Sequence, residues 1–191
     1  MGRASNTALG IGANAAIFSL FDQTLLKTLR VEAPEDLVNI GAPGPNPGSQ
    51  SCGQAGGCDQ VFSSPMFRDL ESAQSGFSGI AAHRAFGANL ALSSQTTKGQ
   101  GMLVSGSYFG VLGLRPALGR LFDPGDDETV GEHFVAVLSY DYWQNELGAD
   151  AGVLNQSIIV NGHPRTIVGV APRGFEGTTL GAEADVFVPI S

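Results

Sequence analysis

The residues of this chain whose types could do chemistry are few and widely spaced. Near the start, Gly10-Ile11-Gly12-Ala13-Asn14-Ala15 has the G-x-G-x-x-A form of a dinucleotide-binding turn, and Glu32 lies 20 residues beyond Gly12. In such a site a strand leads into the glycines, and the pyrophosphate sits on the N-terminus of the helix that follows. Here the preceding residues, Arg3-Ala4-Ser5-Asn6-Thr7, are polar and carry no β-branched apolar run. Close packing of small residues inside an apolar helix accounts for the same glycines, and is the preferred reading. Cys52 and Cys58 are separated by five residues, in a Gly- and Gln-containing segment without a nearby histidine. That is not zinc-knuckle or thioredoxin spacing. Two readings remain, a small disulfide-closed loop in an oxidising compartment or two free surface thiols, and the first fits better.

The three histidines, His83, His133 and His163, are scattered, and none has a second ligand at helical or hairpin spacing. No Gly-x-Ser-x-Gly elbow is present, so Ser105 and Ser107 read as helix-cap residues rather than nucleophiles. Asp126-Asp127-Glu128 lacks the alternating Asp/Asn and the glycine of a calcium loop and reads as a solvated acidic loop. Arg120 follows Gly119 among apolar anchors, with Asp123 three residues on. It is predicted to be a structural clamp, its planar fork pairing with a carboxylate. Tyr142 and Trp143 read as core, and Asn155-Gln156-Ser157 is a formal glycosylation sequon, meaningful only in a eukaryotic secreted protein. Nothing here assembles a catalytic, metal or cofactor site.

The elements that would position these residues follow from composition and pattern. At 191 residues the chain is long enough for a sizeable core. Only 15% of residues are charged and the net charge is −8, which argues against a nucleic-acid partner, where a basic stripe is expected. The apolar run Ala8 to Phe21 is short of the roughly 20 residues that span a bilayer. It reads as a buried helix or as the end of a transmembrane helix, continued by Gln23 to Leu29. Pro34 stops that helix and Asp36 to Gly41 is predicted as a strand. Residues 42 to 60 are a long loop. Ser63-Ser64-Pro65 opens a helix with Met66, Phe67, Leu70 and Ala73 on its apolar face, ended by Gly76.

From Phe77 the period becomes two. Strands are predicted over Phe77 to His83 and Ala88 to Ser93, joined by a turn near Phe86-Gly87, with a third over Gly101 to Ser105. Ser105 or Ser107 then caps a short helix whose face is Tyr108, Val111 and Leu112. Gly113 takes the left-handed position after its last turn, and Leu114 folds back onto it. Pro116 returns the chain to the surface. Phe134 to Leu138 is a strand buried on both faces, and Ser139 caps a helix closed by Gly148. Asn161-Gly162 between Ser157-Ile158-Ile159-Val160 and Arg165 to Val170 is a type I′ hairpin signal. Asp185 to Val188 is a last strand. The fold class is α+β: a mixed, mainly antiparallel sheet with packed helices, preceded by an N-terminal apolar helix.

The ordered motifs resemble a known family. Ala8-Leu9-Gly10-Ile11-Gly12-Ala13-Asn14-Ala15-Ala16-Ile17-Phe18-Ser19 is similar to the outer end of the first transmembrane helix of MacB/FtsX-like ABC transporter permeases, closest to the duplicated orphan-permease group. Val104 to Phe109, Leu112-Gly113 and Pro116 to Phe122 resemble the most typical segment of the MacB-like periplasmic core domain. Ala136-Val137-Leu138-Ser139 with Trp143, Ile159-Val160-Asn161-Gly162, Ile167 to Pro172 with Gly174-Phe175, and Asp185 to Pro189 continue the series. The resemblance implies that residues 1–30 are the end of a transmembrane helix and a membrane-exit helix. It implies that residues 31–191 are an extracytoplasmic core domain, incomplete at its C-terminus, with Met1 not the natural start. It further implies a non-catalytic domain on the outer side of the bacterial cytoplasmic membrane. That domain would couple membrane-helix movement to export or partner docking, without metal or cofactor. The partners it implies are a cytoplasmic ATPase subunit, reached through the full permease, the membrane itself and a periplasmic protein. The loop of Cys52 and Cys58 is not part of the family pattern. Two other readings stay open: a nucleotide-binding enzyme using Gly10 and Gly12, and a stand-alone ligand-binding module with an apolar pocket near Tyr108 and Trp143.

Overall fold

Local chemistry dictates structure most directly at Asn161-Gly162. Both residues take positive φ (49° and 86°), as a type I′ turn requires, and the turn joins β5 (Ser157–Val160) to β6 (His163–Val170). In this computed structural model the described residues are 31–41, 61–92, 95–129, 131–179 and 181–191. The apolar leader with Gly10 and Gly12, and the pair Cys52 and Cys58, lie outside them.

Five further strands complete the sheet: β1 (His83–Leu92), β2 (Gln95–Val104), β3 (Leu118–Gly119), β4 (Val135–Leu138) and β7 (Val186–Pro189). Three short helices accompany them: α1 (Ser64–Ala73), α2 (Tyr108–Val111) and α3 (Tyr140–Glu146). The strand order is β3-β6-β4-β7-β2-β1-β5, and β5 also pairs with β6. Six strands therefore close into a ring, with β3 attached to the outer half of β6. Five of the strand pairings are antiparallel, while β2–β7 and β4–β6 are parallel. The sheet is mixed and mainly antiparallel.

Strand parity divides the apolar residues between two cores. Leu90, Ala136, Leu138, Ile158, Val160, Ile167, Val170, Val186 and Val188 fill the inside of the ring. Met102, Val104, Val137 and Phe187 point the other way, to a second cluster under α2. A bulge between Ala136 and Val137 skips Val168 in the register, so Ile167 and Val170 both face inward although they are three residues apart. All of β7 is buried because it lies between β2 and β4.

Several expectations are corrected. Asp36 to Gly41 forms no strand; a 3-10 turn over Pro34–Asp36 is followed by irregular chain, with Val38 64% exposed and no sheet partner. Phe77 to Ala82 is likewise irregular, and no turn occurs at Phe86-Gly87. There β1 runs straight through, paired along its length with β2, His83 opposite Val104 and Leu92 opposite Gln95. Phe86 lies across from Gly101, and its ring covers the space where a side chain at Gly101 would sit. Cross-strand filling of this kind turns a local turn signal into a strand interior. The caps at Ser63 and Ser139 form as expected, their hydroxyls accepting the Met66 and Tyr142 N–H.

Candidate functional site

The polar side chains of the described residues converge on the turn after β3. Asp123 caps a 3-10 turn over Pro124–Asp127: its Oδ1 accepts the Gly125 N–H at 2.9 Å, and Asp126 Oδ2 accepts the Asp123 N–H at 3.0 Å. This closed turn aims two adjacent carboxylates in different directions. Asp126 takes both guanidinium nitrogens of Arg120, the Nη2–Oδ1 bond measuring 2.8 Å. Asp127 is fully buried. Its Oδ1 accepts the Ser191 N–H at 2.9 Å, and its Oδ2 accepts the Gly106 N–H at 3.1 Å and pairs with Arg68 at 2.7 Å.

The turn thus fastens α1, the chain between β2 and α2, the loop leaving β3 and the residue beyond β7. Burial by itself would raise the Asp126 pKa. The Arg120 hydrogen bonds, the backbone bond from Asp123 and the positive charges nearby outweigh it and hold the carboxyl below its ordinary value. The same Asp126 hydrogen bonds push the Arg120 guanidinium pKa up. Every Asp127 oxygen is occupied by the protein, so this carboxylate holds segments together.

The expected solvated loop at residues 126–128 is therefore corrected: Asp126 and Asp127 are buried because two arginines and three backbone N–H groups replace water. Arg120 does clamp a carboxylate, but that of Asp126; Asp123 stands 3.9 Å away. The hydroxyls of Ser105 and Ser107 do not cap α2. Ser105 Oγ accepts the Ala82 N–H at 3.0 Å and its backbone N–H meets Ala82 O at 2.9 Å, extending the β1–β2 ladder. Ser107 Oγ lies 2.9 Å from Ser105 Oγ, 2.7 Å from Ile80 O and 3.2 Å from Glu71 Oε1.

Gly113, at φ +66°, ends α2 in a Schellman arrangement: its N–H bonds Gly110 O, and the Leu114 N–H bonds Phe109 O. The buried face of α2 is Tyr108, Phe109 and Leu112, with Val111 only partly covered. Phe109 stands edge-on to Tyr108 and Phe187, at 5.3 Å from each ring centre, which explains why one turn of helix is held so deeply.

Tyr108 and Trp143 pack on different clusters, Tyr108 in the second and Trp143 against the ring interior, so they do not line one shared pocket. Tyr108 hydrogen-bonds Thr178 at 2.9 Å, and desolvation pushes its pKa well up. His83 sits 5.9 Å from the Tyr108 ring with Thr179 Oγ1 at 3.3 Å, and desolvation lowers its pKa. An open groove of about 140 Å³ between β2 and α3 is lined by Lys98, Asp141, Tyr142, Glu146 and Asp185. Desolvation, then the charges of Glu146 and Glu183, raise the Asp185 pKa against the bond from Gln100 N–H. Among the described residues no group of His, Cys, Asp or Glu is placed to hold a metal ion.

Arg68 was not singled out by the sequence, and Asp127 was read only as part of a solvated loop. The only signal was Arg68 on a helix face next to Phe67, which pattern alone reads as solvent-facing.

The mixed ring and its flanking aromatic cluster define a class: the fold is shared with extracytoplasmic domains of ABC-type transporters. The periplasmic region of MacB from Actinobacillus actinomycetemcomitans matches at TM-score 0.52 and 20% identity, over 64% of this chain and 52% of that one. The extracellular domain of the noncanonic ABC-type transporter YknZ from Gram-positive bacteria matches at TM-score 0.54 and 17% identity, over 67% and 62%. The chain covers about half to three-fifths of the length of these two structures. The model of the MacB-like periplasmic core domain matches residues 7–191, and the chain belongs to that family. No curated protein matches the chain.

Proposed function

We propose that this periplasmic core domain of a MacB-like permease works without catalysis, passing movement of the membrane helices to cargo or to an outer partner. The observation that carries the reading is the family match across residues 7–191. The closed ring supports it, because a sheet whose strands are all paired moves as one body and transmits displacement instead of absorbing it. So does the polar turn at 123–127, whose charged groups are spent on joining segments. Residues 1–30 would be the end of a transmembrane helix and its exit from the membrane, with a cytoplasmic ATPase supplying the energy. Among the described residues no helix is long and apolar enough to cross a membrane.

The test uses the full permease with its ATPase in lipid nanodiscs, carrying an environment-sensitive fluorophore at Lys98→Cys, Glu132→Cys or Ile159→Cys. These three exposed positions lie on different strands and loops. ATP is expected to shift the signal at one or more of them, and an ATPase variant unable to hydrolyse is expected to block turnover-dependent cycling. An active ATPase with no ATP-dependent shift at any position overturns the coupling. In intact cells the same cysteines are expected to react with a membrane-impermeant maleimide.

A further inference from the structure

The bonds of α1 to the rest of the described residues differ in kind from those of α2 and α3. Its expected apolar face, Met66, Phe67, Leu70 and Ala73, is largely uncovered: Phe67 alone is buried, and Met66 is 39% exposed. Phe67 belongs to neither of the two core clusters. α2 and α3, by contrast, place Tyr108, Phe109 and Tyr142 within them. What reaches α1 is polar. Arg68 Nη2 bonds the Asp127 backbone oxygen and pairs with Asp127 Oδ2, Arg68 Nη1 bonds Glu71 at 3.2 Å, and Glu71 Oε1 meets the Ser107 hydroxyl. The partner at the far side, Asp127, is itself fixed by Gly106 N–H and Ser191 N–H.

We infer that Arg68 and Asp127 form a polar latch, and that α1 opens and closes on it as a unit while the strand ring stays folded. Two physical facts lead there. A ten-residue helix is marginal by itself, so α1 persists through what it docks against. Elements that bury little apolar surface and depend on a few polar bonds occupy the low end of a protein's local unfolding energies. The latch has a closed state because Asp127 loses a charged partner when α1 leaves. It can open because no α1 side chain belongs to the ring interior or to the aromatic cluster. Asp127 also holds Gly106, before α2, and Ser191, after β7, so α1 shares its anchor with both. This inference does not depend on the transport reading; it concerns the folded domain alone.

Amide hydrogen exchange on the 191-residue chain tests it, followed residue by residue. The Phe67 to Gln74 amides are expected to exchange faster than those of β4, β6 and β7. In Arg68→Met they are expected to exchange roughly ten- to hundredfold faster still, the range for a lost hydrogen bond to a charged group. The strand amides should change less than about twofold, beneath that same range. Arg68→Lys, which keeps the charge but not the fork, is expected to fall between. Equal acceleration of strands and helix would make α1 part of the global folding unit and overturn the latch. Helix rates unchanged in Arg68→Met would also overturn it. If Asp127→Asn proves poorly folded, the arginine variants still decide.

Discussion

At the scale of residues, neighbouring carboxylates in one turn have different lives. Asp126 faces an arginine that remains half exposed, whereas Asp127 is sealed among backbone N–H groups and a second arginine. Exposure limits the worth of the Arg120–Asp126 pair. With the Arg120 side chain 49% accessible, a double-mutant cycle with Arg120→Met and Asp126→Asn is expected to give a coupling of about 1 kcal/mol, above a fully exposed pair and below a buried one. The sign with pH follows from the lowered Asp126 pKa. A carboxyl depressed by folding contributes stability above its unfolded value, near 4, and loses it as pH falls through the lower folded value. Urea unfolding should therefore show the gap between wild type and Asp126→Asn constant from pH 7 to about 5 and closing towards pH 3. Asp185, raised by burial, has the opposite sign and is relieved on protonation, so it is not the source of that acid loss.

At the scale of elements, what was legible was what closes within a few residues. The Asn161-Gly162 turn, the Ser63 and Ser139 caps and the Gly113 stop each satisfy their own backbone groups locally. Their residue types therefore announce them. Gly113→Ala tests the stop. A side chain at φ +66° costs about 1 kcal/mol, and its Cβ would come within 2.8 Å of Glu32 Oε2, the movable end of a flexible side chain. The expected loss is thus about 1 kcal/mol, read from the denaturant midpoint; an unchanged midpoint would show that the Schellman ending is not what holds α2. Elements that misled the pattern did so for non-local reasons. Gly87 looks like a breaker until pairing with β2 carries β1 through it and sets Phe86 over Gly101. The apolar-rich Leu37-Val38-Asn39-Ile40 pairs with no strand among the described residues.

At the scale of the whole molecule, the ring needs β5 to bond its hairpin partner β6 and also β1, where Leu90 pairs with Val160 across about 70 residues of sequence. Two parallel pairings, β2–β7 and β4–β6, cross the same sheet. The compartment also belongs to this scale. Cys52 and Cys58 are the chain's two cysteines, and a domain facing an oxidising space would carry them joined. Protein recovered from the cell envelope is expected to gain about 2 Da in intact mass on reduction, one hydrogen per sulfur. An unchanged mass would leave two free thiols and weaken the extracytoplasmic placement.

The sequence by itself determined the hairpin, the Ser63 and Ser139 caps, the existence of strands within 134–138 and 185–188, and, through its ordered motifs, the family. These rest on local hydrogen bonding and on side-chain period, both of which are written in neighbouring residues. Only the tertiary structure decided which apolar residues face the ring and which face the aromatic cluster. It also decided that Asp126 and Asp127 are buried instead of solvated, and that Arg68 reaches across to Asp127. A carboxylate's burial depends on where its counter-charges arrive in space, and Arg68 and Asp127 are separated by 59 residues of chain.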